Sequence, residues 1–292
     1  MSASGIATDQ ADQADLPPTA GVYEATVSRP QRTLADETYE LTLRAPRVAA
    51  AIRPGQFVMF RDEENSDPLL GRPFALYATS GDEFSVAYHV IGKQTRLMTD
   101  WAEGQPVRLW GPLGNGFDGT LTGRSLLFIG GGIGYSPFPA VAKAALGLDG
   151  TRRRFELAEL LYGARTQSLI ADTSDFDGWD GLSVTICTDD GTAGHAGLVT
   201  DVLDERLQGP DRPDHVFTCG PVPMMKAVAA RCGAAGVACD LSLETPMACG
   251  FGACYSCVVP VRDDASPTGW DYRRSCVEGP VFRACELDLS EL

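Results

Sequence analysis

Cys249, Cys254, Cys257 and Cys276 form the strongest chemical pattern in the chain. The first three are spaced C-x4-C-x2-C, and the fourth follows at a distance. A plant-type [2Fe-2S] cluster takes four terminal thiolates with this kind of spacing. Three of the four must come from one tight loop. Gly250 and Gly252 can adopt the positive φ angles such a loop needs. Ala248, Ala253 and Ser256 are small, so backbone N–H groups can approach inorganic sulfide. A structural zinc site usually pairs its ligands as two short hooks. Only one such hook stands here, and zinc is the alternative reading.

Three further motifs suit nucleotides. The stretch Ser125-Leu-Leu-Phe-Ile129 reads as a buried strand leading into Gly130, Gly131, Gly132, Ile133 and Gly134, then an Ala-rich helix through Ala145. Strand, glycine turn and helix N-terminus place bare backbone beside a phosphate, and a dinucleotide pyrophosphate fits. Gly132-x-Gly134-x-x-Pro137 differs from the Rossmann fingerprint, so a plain strand–helix connection is the rival. Thr218-Cys219-Gly220-Pro221 ends another strand, where ligands of parallel sheets bind. There Cys219 either touches a nicotinamide or fills space before a turn. Arg72-Pro73-Phe74-Ala75 sets a guanidinium on rigid backbone, which suits a phosphate diester. The rival reading is a surface Arg at a strand start.

These residues need elements to position them. From residue 21 to 123 the pattern predicts short strands over 22–27, 39–43, 56–60, 84–91 and 107–110, and a helix over 95–101. Such spacing implies a small antiparallel β-barrel that closes on itself. From residue 124 to 239 strands alternate with helices, implying a parallel α/β domain. Strands are expected over 125–129, 159–162, 183–187 and 215–218, and helices over 198–207 and 224–231. Residues 240–292 form the cysteine segment, and residues 1–20 read as a flexible, solvated tail. Cys187, Cys232, Cys239 and Cys285 read as small buried hydrophobes.

The 292 residues leave room for two domains and an appendage. A net charge of −15 without a basic run argues against nucleic acid and anionic membrane surfaces. Nine cysteines without a secretory signal point to a reducing, cytoplasmic setting. The longest uncharged stretch, residues 125–142, contains four Gly and two Pro and is no membrane span.

The order of Arg72–Ala75, Gly111-Pro-Leu-Gly-Asn-Gly-Phe117, the glycine turn, Cys219-Gly-Pro221 and the cysteine loop resembles the ferredoxin-NADP reductase superfamily. Within it, residues 21–289 resemble the electron-transfer subunits of class 1B dihydroorotate dehydrogenase. Ser242-Leu-Glu-Thr-Pro-Met-Ala-Cys249 and Cys276-Val-Glu-Gly-Pro-Val-Phe282 match that family closely. The resemblance implies FAD on three motifs: Arg72, Pro73, Phe74 and Ala75; then Ala87, Tyr88 and His89; then Gln94 and Thr95. Three positions depart from the family pattern. Ala75 stands for a Ser, His89 for an Arg and Gln94 for a Gly. NAD is implied at Gly130, Gly131, Gly132, Gly134, Cys219, Gly220 and Pro221.

The resemblance also implies a partner, an FMN-containing catalytic subunit, in a heterotetramer with two copies of each. Electrons from dihydroorotate would pass through that FMN, the cluster and FAD to NAD+, in pyrimidine biosynthesis. No side chain of this chain is then needed to act on dihydroorotate. The alternatives are a reductase component feeding an oxygenase, sulfite reductase or hydrogenase, and a zinc-stabilised binding module. Arg165 suits a 2′-phosphate and Asp189-Asp190 opposes one, so the residues alone leave NAD and NADP open.

Overall fold

A computed structural model describes residues 20–61 and 67–292. The expected tail, apart from Ala20, lies outside them. The first domain contains strands β1 (Gly21–Val27), β2 (Arg32–Ala35), β3 (Thr38–Arg44), β4 (Phe57–Phe60), β5 (Arg72–Ala75), β6 (Ala78–Ser80), β7 (Glu83–His89) and β8 (Pro106–Leu113). Helix α1 (Pro46–Ala49) follows β3, and α2 (Lys93–Met98) follows β7. The strands pair in the order β5-β4-β8-β1-β3-β7-β6, with β2 on β3, and every pairing is antiparallel. Leu41, Leu43, Val58, Phe60, Val86 and Leu109 fill the interior of this curled sheet. Each such side chain contributes about 1.5–3 kcal/mol by leaving water. Phe60 stacks on Phe74 with ring centroids 4.3 Å apart, fastening β5 to β4. Among the described residues the ladder stays open between β5 and β6. The expected closed ring is therefore a half-barrel, and its gap holds a cavity described below.

Helix α2 starts two residues before the expected Thr95. The Thr95 hydroxyl accepts from the backbone N–H groups of Ile91 and Gly92, each at 3.1 Å. That back-reaching contact caps the helix from its third residue and fixes its start at Lys93.

The second domain is a seven-stranded sheet built from β9 (Gly123–Gly131), β10 (Phe155–Ala164), β11 (Leu182–Thr188), β12 (His195–Ala196), β13 (His215–Cys219) and β14 (Ala238–Ser242), with a last strand from the C-terminal segment. Helices α3 (Phe138–Ala145), α4 (Val199–Gln208) and α5 (Val222–Ala235) cover its faces. The chain runs outward from β9 through β10 and β11, then returns to place β13 on the other side of β9. The connections reverse direction between β9 and β13, and clefts for ligands open at such points. Helix α5 stops at Gly236, whose φ of +66° supplies the left-handed residue that ends helices.

The cysteine segment contributes a hairpin of β15 (Val258–Arg262) and β16 (Trp270–Arg274), and β17 (Val281–Arg283). Strand β17 pairs antiparallel with β14 at the sheet edge, setting Leu241 opposite Phe282. The expected boundary between residues 239 and 240 falls inside β14. No helix among the described residues is long and apolar enough to cross a membrane.

Candidate functional site

The cysteine loop runs from Cys249 to Cys257 and needs left-handed backbone at Gly250, Gly252 and Tyr255, with φ of +78°, +87° and +56°. A Cβ on Gly250 would stand 2.6 Å from Met59 Cγ, and one on Gly252 would stand 2.8 Å from Val277 Cγ2. Glycine is therefore required at both, by turn and by space. Phe57, Met59, Leu113 and Met247 pack around Cys257 and Cys276 and seat the loop on the half-barrel. Trp110 Nε1 donates to the Cys249 carbonyl at 2.8 Å. Asn115 holds the far side. Its amide donates to the carbonyls of Glu278 (3.0 Å) and Val281 (2.8 Å), bringing the Cys276 segment to the same place.

Cys254 is exposed and Cys249 half-buried, whereas Cys257 and Cys276 are buried. The Ser256 hydroxyl lies 3.2 Å from Cys254 Sγ, and with the Ser256 N–H it draws the Cys254 thiol down to about 6. The Ala253 N–H donates to Cys249 Sγ at 3.3 Å. Contact with Cys276 lowers the Cys257 thiol to about 6, while Cys276 itself is raised by Cys257 and by burial. The sulfurs thus fall into two pairs, Cys249 with Cys254 and Cys257 with Cys276. Among the described residues, no three His, Cys, Asp or Glu group around one metal position. Two pairs of cysteines fit two irons with two thiolates each. Tyr255 is exposed, as a loop-tip residue should be, with the Arg274 guanidinium 5.2 Å from its ring centroid.

Beside this loop, a 600 Å³ cavity occupies the gap of the half-barrel. Arg72, Pro73, Phe74 and Ala75 line it from β5, Ala87, Tyr88 and His89 from β7, and Gln94 and Thr95 from α2. All nine residues expected to meet FAD are thus brought together. Its volume lies in the range of small-molecule sites. Cys219 and Ser136 line the cavity from the second domain. Burial and the neighbouring Glu244 push the Cys219 thiol well up, so it stays protonated.

A second cavity, of 530 Å³, opens at the reversal point between β9 and β13. It shares His89 and Ile133 with the first. Gly131, Gly132 and Pro221 line it. Gly132 has a φ of +55° with nothing within 4 Å of where a Cβ would stand. Gly130, Gly134 and Gly220 do not face this space. They allow close packing instead, since a Cβ on Gly134 would meet the Cys219 carbonyl oxygen at 2.4 Å. The helix N-terminus expected at the phosphate position lies farther along. A 3-10 turn, Gly132–Tyr135, intervenes before α3, and Pro137 precedes that helix.

Ser242, Glu244, Thr245 and Met247 also line the first cavity, a role sequence reasoning missed. Ser242 ends β14 and the other three follow it, and only that strand's place beside β13 brings them to the cavity. Glu244 is exposed to solvent along one side and lines the cavity along the other, and desolvation there raises its carboxyl above the usual range. Cys187, Cys232 and Cys239 are buried as expected, but Cys285 is exposed, because it follows the sheet-edge strand β17.

Comparisons with known proteins agree with this layout. Residues 244–288 match a family model described as the iron-sulfur cluster binding domain of dihydroorotate dehydrogenase B. Residues 128–230 match one described as an oxidoreductase NAD-binding domain. The dihydroorotate dehydrogenase B (NAD(+)) electron transfer subunit of Bacillus caldolyticus is 38% identical over 89% of this chain and 96% of its own length. That of Caldanaerobacter subterraneus subsp. tengcongensis is 34% identical over 88% and 94%. The solved structure of an NADH-dependent reduced ferredoxin-NADP oxidoreductase superposes with a TM-score of 0.77, at 28% identity over 91% of each chain. A ferredoxin reductase of carbazole 1,9a-dioxygenase gives a TM-score of 0.63 at 26% identity, covering 75% of this chain and 67% of that one. The iron–sulfur match sets aside the zinc reading. The chain belongs to the electron-transfer subunits of NAD+-linked dihydroorotate dehydrogenase B, as an NAD-linked oxidoreductase component.

Proposed function

We propose that this chain receives electrons from dihydroorotate oxidised at an FMN in a separate catalytic subunit and passes them to NAD+. The observation that carries this reading is the adjacency of the thiol loop, the 600 Å³ cavity and the 530 Å³ cavity within one chain. In this reading Cys249, Cys254, Cys257 and Cys276 hold a [2Fe-2S] cluster, within a segment spanning residues 240–292. Residues 21–123 bind FAD through the residues of β5, β7 and α2 that line the larger cavity. Residues 124–239 bind NAD, with Gly131, Gly132 and Pro221 in contact and Gly130, Gly134 and Gly220 shaping the turn. When bound, the flavin exchanges electrons singly with the cluster and as a hydride with the nicotinamide.

The protein's own side chains bind and shield. Cys219 offers a small neutral surface on the second-domain side of the larger cavity, where a nicotinamide can meet the flavin. No group here serves as a base toward dihydroorotate. The exposed Phe251 and Tyr255 of the cysteine loop mark the face open to the catalytic subunit. Two copies of each subunit and a cytoplasmic location complete the proposal. Among the described residues no cysteine is joined in a disulfide, which suits such a reducing setting.

Cys254→Ser tests the reading. The variant should fold and keep FAD, lose the cluster's visible absorbance, and reduce electron transfer with the catalytic subunit to background. NADH-to-flavin exchange should persist. Full coupled transfer in a FAD-loaded variant would show that Cys254 is not a ligand.

A further inference from the structure

We propose that the Ser256 hydroxyl raises the reduction potential of the iron–sulfur cluster by donating a hydrogen bond to the Cys254 sulfur. The inference rests on reading Cys249, Cys254, Cys257 and Cys276 as the cluster's ligands. Ser256 stands inside the C-x2-C hook, between Tyr255 and Cys257. Tyr255 is left-handed, with a φ of +56°, and the chain turns back there. The Ser256 Oγ thus lies 3.2 Å from the sulfur two residues earlier.

Three contacts surround the Ser256 oxygen. It accepts from the Ala248 N–H at 3.1 Å, and it lies 3.3 Å from the Pro246 carbonyl oxygen and 3.2 Å from Cys254 Sγ. A hydroxyl has one proton to give, so the carbonyl and the sulfur compete for it. An O–H···O bond is ordinarily about 2.5–3.0 Å long, and the carbonyl stands beyond that reach. A similar separation is ordinary for sulfur, whose radius is larger. A cysteine ligated to iron has also lost its proton, so its sulfur can only accept. Charge-assisted hydrogen bonds are roughly twice as strong as neutral ones. Distance and charge both send the proton to the sulfur. The Ala248 N–H meanwhile pins the oxygen, so the donor is in place before an electron arrives.

Reduction adds one electron to the cluster and makes its sulfurs more negative. A donor aimed at one of them stabilises the reduced form more than the oxidised form, and the potential rises. Hydrogen bonds to the sulfurs are among the levers that set such potentials. The Ala253 N–H donates to Cys249 and the Ser256 N–H to Cys254, but backbone donors remain whatever the side chain. The hydroxyl is the donor that substitution removes. Arg274, whose guanidinium lies over Tyr255, is paired with Glu278 and brings little net charge to the loop. Cys254 is exposed beside Tyr255, on the face proposed for the catalytic subunit. The hydroxyl thus acts at the corner where electrons enter, and favours their capture.

The test is an anaerobic redox titration of the cofactor-loaded chain, followed by the cluster's electron paramagnetic resonance signal. In Ser256→Ala the ratio of reduced to oxidised cluster at a fixed potential should fall about tenfold, the scale of one hydrogen bond to a charged group. For a one-electron couple that is a shift of about 59 mV to lower potential. Iron content should match wild type. Ser256→Thr keeps the hydroxyl and should keep the wild-type potential. If the Ala variant loses iron, Ser256→Thr against Ser256→Val makes the same comparison at nearly constant shape. An unchanged or raised potential in the hydroxyl-free variants overturns the inference and leaves the ligand assignment standing. A loaded wild type that shows no [2Fe-2S] signal overturns the ligand reading, and the inference with it.

Discussion

At the scale of single residues, ligand spacing is local, and so the four cysteines could be read directly from the chain. What surrounds them could not. The Asn115 amide reaches Glu278 and Val281, more than 160 positions away, and no sequence pattern announces that reach. The same holds for Trp110 and the Cys249 carbonyl. Gly250 shows how tightly the loop is seated. An added methyl would meet Met59 at 2.6 Å, in backbone at φ +78° that disfavours any side chain. Gly250→Ala should therefore cost about 1–3 kcal/mol of stability, combining left-handed strain with overpacking. A thermal melt of the cofactor-loaded protein measures it. An unchanged melting temperature together with full iron content would contradict the tight seat.

At the scale of elements, long periodic strands such as β3, β7 and β9 matched their sequence patterns. The short strands β2, β5 and β6 did not declare themselves, because three or four residues are too few to show alternation. Strand β5 contains a proline as well, which sheets tolerate at an edge, where β5 lies. Strand β14 looks like the start of the cysteine segment until its pairing with β13 is known. Contact between β2 and the second domain was equally invisible. Arg32 donates to Asp175, which also accepts from the Tyr77 hydroxyl. Burial alone would raise the Asp175 carboxyl, but the hydrogen bonds from Arg32 and Tyr77 outweigh it and hold it below the usual range. A carboxylate lowered in the folded state stabilises above its unfolded pKa, about 4. That contribution disappears as pH falls through the lower, folded value. Stability should thus drop more steeply on acidification in wild type than in Asp175→Asn, as followed by urea denaturation between about pH 5 and pH 3. Parallel profiles would remove this bridge as a joint between the domains.

At the scale of the whole molecule, a half-barrel, a parallel sheet and a thiol loop place three sites side by side. The two cavities meet at His89 and Ile133, and residues 242–247 run from the sheet, past the flavin cavity, to the cysteine loop. Strand β17 and Asn115 fix the far end of that loop to both domains. An electron path needs this continuity, because its stations must sit close enough to exchange charge without rearrangement. The central claim is that flavin and cluster lie in one connected path reached by NADH. Anaerobic titration of the cofactor-loaded chain with NADH, set against NADPH and followed by absorbance, tests it most directly. The account predicts that NADH bleaches the flavin and cluster bands together and that NADPH does so far less. Bleaching of the flavin while the cluster band stays unchanged, or equal reduction by NADPH, would contradict it.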